Sequence, residues 1–303
     1  MHIVNSISEY HHLVSLPDPL HPLISVVKVE DMRLPGKEVL DHFALNFYCV
    51  SLKKQVLSKV KYGQQYYDFD KGMMTFIAPK QVQSIDISEL ERSAPAIGTG
   101  YALLIHPGFL YKHPLATSIK NYGFFSYAVN EALHLSEKEE KNIVDIMQKI
   151  DEEYQHIDKH TQDVILAQID LLLTYSKRFY ERQFITRKAV NHDLLASLEQ
   201  LLNEYFEKEE ALKKGAPTVE YLAGKLNVST HYLGDMLRSV TGQTTQQHIQ
   251  EKLIEKAKEY LSITDMTVAE IAYLLGFEYP QSFNKLFKKK TNTSPLEFRQ
   301  TFN

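Results

Sequence analysis

One unit is written twice near the end of this chain. "TVEYLAGKLNVSTHYLGDMLRSVTGQTTQQHI", residues 218–249, lies in register with "TVAEIAYLLGFEYPQSFNKLFKKKTNTSPLEF", residues 267–298. Val219, Leu222, Ala223 and Leu226 match Val268, Ile271, Ala272 and Leu275, all at the i, i+3, i+4, i+7 spacing of one helix face. Leu233, Met236 and Leu237 then match Phe283, Leu286 and Phe287, with one extra residue in the second copy's turn. The helical pattern breaks at Asn227 in one copy and at Gly276 in the other, the two residue types that best tolerate a left-handed backbone. These are the expected structural turn residues. Each copy closes with a capping signal, Thr244 with Gln247 and Ser294 with Glu297, and Pro295 stands at a first helical position.

Two short helices joined by a sharp turn make a helix-turn-helix, in which the first helix buttresses a second that projects outward. Such a second helix fits a DNA major groove. One copy is a weak signal, because helical hairpins are common. Two copies joined by a helix are far more specific. The stretch 245–262, "TQQHIQEKLIEKAKEYLS", carries Ile249, Leu253, Ala257 and Leu261 on one stripe. At 1.5 Å per residue it spans about 27 Å. Successive major grooves on one face of B-DNA lie roughly 34 Å apart, so the spacer suits two reading helices one turn apart.

"AEIAYLLGF" followed by "FNKLFKKKTNTSPLEFR" resembles the signature of the AraC/XylS family of transcription regulators, over about the last 90 residues. The region before it resembles, more loosely, the cupin-like effector and dimerisation domain of that family. The resemblance implies a bacterial, sequence-specific DNA-binding regulator that works as a homodimer with RNA polymerase and responds to a small-molecule effector. In the second copy the outward positions are Gln281, Ser282 and Lys285, and the family pattern places base contacts there. Gln pairs bidentately with adenine, and Lys donates to guanine. Lys288, Lys289 and Lys290 are assigned to phosphate, where they add affinity and salt dependence. The matching positions of the first copy are His231, Gly234 and Asp235, with Arg238 nearby as a phosphate contact. Here the chain departs from the family pattern, which favours long polar residues. Gly cannot reach a base edge, and Asp235 suits only a cytosine amine. Either His231 and Arg238 carry this half or it reads little sequence.

Upstream, residues 1 to about 130 read as mostly β. "FALNFYCVSL", "MMTFIAP" and "GYALLIHPGFL" are strand-like runs, with "YGQQYYDFDKG" supplying turn signals. The spacing suggests a small antiparallel barrel or jelly roll, which the resemblance implies is cupin-like, and Tyr66, Tyr67, Phe69 and Phe76 could line its wall or simply fill its core. Helices follow. Ser136 with Glu139 is a capping box ahead of Ile143, Ile146, Met147 and Ile150. "DVILAQIDLLLTYSKRFYERQF" is a longer helix that either pairs between subunits or packs on its own barrel. "ITRKAVNHD" is the expected break before "LLASLEQLLNEYFEKEE". The expected fold class is α+β, with a cupin-like domain and helical extension over 1–190, a helix and linker ("LKKGAP") over 191–216, and an all-α domain of two helix-turn-helix units over 217–303.

The formal charge of −4 does not advertise nucleic acid, but it is unevenly spread. From Phe277 onward, Lys285, Lys288, Lys289, Lys290 and Arg299 oppose only Glu278 and Glu297. A local basic face matters more to a polyanion than the sum. No run approaches the roughly 18 apolar residues of a membrane span. The first residues lack a basic start followed by an apolar run, so no leader peptide is expected and a cytoplasmic protein is. Cys49, the lone cysteine, is expected in a strand core. A metal-dependent cupin enzyme needs several His and a carboxylate converging from adjacent strands. His42, His106 and His113 are widely spaced, and His156 with His160, at i, i+4 on an expected helix, lacks a third ligand. "SLKK" is too short to indicate a nucleophile. Neither metal, cofactor nor catalysis is expected. The rival readings are that enzyme fused to a DNA-binding tail, and a helical adaptor that binds protein.

Overall fold

The computed structural model describes residues 2–33, 42–54, 61–62, 65–66, 72–83, 98–128 and 131–301. The chain divides into two compact units, Met1–Gln183 and Phe184–Asn303.

The first unit is mixed. Its strands are β1 (His2–Val4), β2 (Ile24–Lys28), β3 (Phe43–Leu45), β4 (Tyr48–Lys54), β5 (Lys61–Tyr62), β6 (Gln65–Tyr66), β7 (Met73–Ile77), β8 (Val82–Gln83), β9 (Thr99–Ile105) and β10 (Leu133–His134). Five of them form an antiparallel sheet in the order β10-β7-β4-β9-β2. The order β1-β3-β8 makes a smaller sheet, and β5 pairs with β6. Among the described residues none of these sheets closes into a barrel.

Alternation along β4 divides the core. Cys49 falls on the face shared with Val27, Ala102 and Leu104, covered by Val4, Leu45, Phe47 and the short helix α1 (Ile7–Leu13). Burial pushes the Cys49 thiol up to about 12, so it is an inert packing group. On the other face Phe76 packs against Phe124, Phe125 and Tyr180, with ring centroids 4.4, 5.6 and 6.1 Å away. Phe76 is therefore a core residue under helical turns. Tyr66 lies on β6, whereas Tyr67 and Phe69 fall outside the described residues.

Two long helices complete this region, α2 (Glu137–Gln155) and α3 (Thr161–Thr186). Ser136 and Glu139 close the capping box that starts α2. The helix stops at His156, and Asp158 accepts from the backbone N–H groups of His160 and Thr161 to start α3. His156 and His160 thus flank a turn rather than share a helix face, a correction to the expected i, i+4 pair. Among the described residues no group of three or more His, Cys, Asp or Glu could hold a metal ion. No described helix is long and apolar enough to cross a membrane.

The second unit is helical: α4 (Lys188–Glu207), α5 (Glu210–Lys214), α6 (Val219–Lys225), α7 (Thr230–Thr241), α8 (Thr245–Ile263), α9 (Val268–Leu274), α10 (Pro280–Thr291) and α11 (Pro295–Gln300). The break expected across "ITRKAVNHD" shrinks to Arg187, because the Asn191 side chain donates to the Phe184 carbonyl and the helix restarts at once. The stripe of α8 is buried at Ile249, Leu253, Ala257 and Leu261, and this helix packs against α4, α7, α9 and α11. It is the common support of both repeats.

Candidate nucleic-acid interface

The duplication holds at the level of single hydrogen bonds. Past α6, Asn227 has φ +54° and Val228 N–H donates to Ala223 C=O at 3.1 Å. Past α9, Gly276 has φ +86° and Phe277 N–H donates to Ala272 C=O at 2.9 Å. Both are six-to-one closures around a left-handed residue, which satisfy otherwise orphaned helix-end carbonyls. Phe277 then folds back on Phe283, ring centroids 5.5 Å apart. The extra residue of the second turn changes how the next helix starts. Ser229 caps α7 by accepting from Tyr232 N–H, whereas Tyr279 offers α10 no side-chain cap and Pro280 opens the helix. The Thr241 and Thr291 hydroxyls donate to Leu237 and Phe287 C=O, each at 2.8 Å. Gly242 (φ +75°) and Asn292 (φ +62°) end α7 and α10, and capping boxes at Thr244–Gln247 and Ser294–Glu297 follow.

The repeats differ in what they leave outside. On α10, Phe283 and Phe287 are fully buried while Gln281, Ser282 and Lys285 are exposed. Lys288, Lys289 and Lys290 are exposed in its last turn, where cations suit the helix dipole. Asn284 is exposed as well, and sequence reasoning passed over it. Steps of three and four from Gln281 reach Asn284, Lys285 and Lys288, so the helical period was the signal.

The face of α7 is narrower. His231 and Arg238 are exposed, but Asp235 is half-buried and its Oδ1 lies 3.3 Å from Arg238 Nη1. A Cβ added to Gly234 would have one neighbour within 4 Å, the Thr245 Oγ1 at 3.9 Å. Tyr232 is buried edge-to-face against Phe184, at 5.3 Å.

Local electrostatics also follow the caps. The Glu297 carboxyl is held below its ordinary value first by the Ser294 backbone N–H, then by the Ser294 hydroxyl, with Lys288 adding to the effect. Glu270 is held down in the same way by the Thr267 backbone and hydroxyl. A carboxylate accepting such bonds prefers to stay ionised.

Residues 222–301 match the family model described as "Helix-turn-helix domain". The C-terminal unit carries an AraC-type helix-turn-helix domain. It is 33% identical over 100 residues to the "Bifunctional transcriptional activator/DNA repair enzyme AdaA" of Bacillus subtilis, covering 33% of this chain and 46% of that one. It is 30% identical over 142 residues to the "HTH-type transcriptional activator RhaS" of Salmonella schwarzengrund, covering 46% and 45% of the two chains. The chain thus spans about half the length of these curated relatives. Among solved structures it is similar to the C-terminal domain of the two-component response regulator yesN from Fusobacterium nucleatum, at 32% identity and a TM-score of 0.29, covering 33% of this chain and 96% of that one. The AraC-type match begins at Leu222 within α6, so α4 and α5 lie outside it although they belong to the same compact unit.

Proposed function

We propose that this chain is a sequence-specific DNA-binding transcription regulator that inserts α7 and α10 into successive major grooves. The observation that carries the reading is the repeated turn and cap geometry around two helices whose outer faces stay exposed. At 19 residues, α8 is about 28 Å long, close to one turn of B-DNA. Gln281, Ser282 and Lys285 read bases from α10, joined by Asn284, whose amide suits adenine. Lys288, Lys289 and Lys290 meet phosphates. On α7, His231 reads and Arg238 meets phosphate once it exchanges Asp235 for the backbone, leaving Asp235 for a cytosine amine. Asn227 and Gly276 are the structural turns.

The same reading assigns the first unit to effector sensing and dimerisation in a cupin-like frame, with the chain acting on RNA polymerase in the cytoplasm and without enzymatic activity. The family resemblance and the layered β-sheet support this assignment. An effector acts there only by binding two arrangements with different affinity.

The test is competition among genomic DNA fragments for the purified chain at physiological salt. A small set should outcompete bulk DNA by about a thousandfold or more. If none does, the regulator reading fails and the protein-binding adaptor takes its place.

A further inference from the structure

The turn that opens toward α10 is covered, whereas its counterpart before α7 is not. Asn227 is exposed. At Gly276 a Cβ would fall 2.5 Å from the Ala216 nitrogen, 2.6 Å from the Gly215 carbonyl carbon and 2.9 Å from the Ala211 oxygen. All three are backbone atoms, which have little freedom to retreat. The segment lying over Gly276 is itself anchored. Ala211 and Pro217 are buried, and Gly215 N–H donates to Ala211 C=O at 2.9 Å. The Tyr205 hydroxyl donates to Gly215 C=O at 3.0 Å, and the Tyr205 ring meets Tyr221 of α6 edge-on at 5.1 Å. Tyr205 therefore holds the first repeat with its ring and the covering segment with its hydroxyl. That segment in turn sits on the turn of the second repeat.

We propose that residues 205–217 form a clasp, seated on the left-handed turn at Gly276, that positions α10 relative to the first repeat. The clasp gives Gly276 two separate reasons to be glycine. Its φ needs a residue that tolerates the left-handed region, and its α-carbon has no room for a side chain. Asn227 meets only the first requirement, which makes the first repeat an internal control. The consequence for DNA rests on the two-groove reading above: both reading helices keep a fixed offset only while the clasp is seated.

The experiment exchanges the two turn residues in the full chain. Asn227→Gly should leave affinity for a duplex recovered from the genomic competition within about twofold, since glycine also adopts this backbone. Gly276→Asn keeps a residue that accepts the left-handed backbone but adds a side chain against the clasp. Its affinity for the same duplex should fall about tenfold or more. Equal, mild effects of the two exchanges would overturn the positioning role.

Tyr205→Phe provides a second arm that leaves the turn untouched. Amide exchange at 276–278 should accelerate roughly fivefold, while exchange at 227–228 stays as it was. Unchanged exchange at 276–278 would overturn the clasp itself, even if Gly276→Asn fails to fold. This arm uses no DNA. Should the wild-type chain prefer no fragment, the regulator reading falls while the clasp is still decided.

Discussion

Lys285 and Lys288 stand three residues apart on α10, both exposed, yet the two-groove reading gives them different tasks. Lys285→Ala should relax preference at one base pair and cost about 1–3 kcal/mol on the preferred site, measured on duplexes with single-base changes. Lys288→Ala should weaken every sequence alike and lower the slope of log affinity against log salt by about 0.9. Indistinguishable effects would remove the division between reading and anchoring. The face of α7 makes a contrasting point. Asp235 and Arg238 stand 3.3 Å apart across one turn of helix, so the roles proposed for both require Arg238 to leave this pair on DNA.

At the scale of elements, caps decide where helices begin. Thr244→Ala deletes the acceptor at the head of α8 and should lower stability by about 1 kcal/mol in thermal melting. The capping glutamates add a pH dependence whose sign is set by their lowered values. Hydrogen bonds from Thr267 and Ser294 hold Glu270 and Glu297 below the ordinary 4.5. Their contribution is present above that value and is lost as pH falls through their lowered, folded-state values. Because both are exposed, the effect is small and confined to acid. Glu297→Gln should preserve stability at neutral pH, as Gln247 does at the equivalent cap, and flatten the acid limb of a melting-temperature profile. An unaltered acid limb would count against this assignment.

For the whole molecule, the spacing of the two repeats is the quantity that DNA tests. Inserting about five base pairs between the two half-sites turns one of them to the opposite side of the duplex. Affinity should then drop to what one repeat supplies alone, measured by titration against the unaltered duplex. Retention of full affinity would show that only one repeat reads. In a chain of net charge −4, Lys288, Lys289 and Lys290 stand together in the last turn of α10, where the proposed reading uses them for phosphate.

Helix turns, left-handed breaks and capping boxes depend on residues within about four positions of one another, so the sequence alone was enough to locate both repeats, the spacer and the outer face of α10. Asn284 was legible by the same period. Distance in the chain is what hid the rest. The central sheet pairs Tyr48 with Ile105 and Ser51 with Thr75, and nothing local encodes that order. The aromatic run could not reveal which face Phe76 occupies. Nor could composition reveal that Asp235 meets Arg238, or that a linker-like "LKKGAP" rests on Gly276. Each of these is a contact made by packing, and packing brings together residues that the chain itself keeps apart.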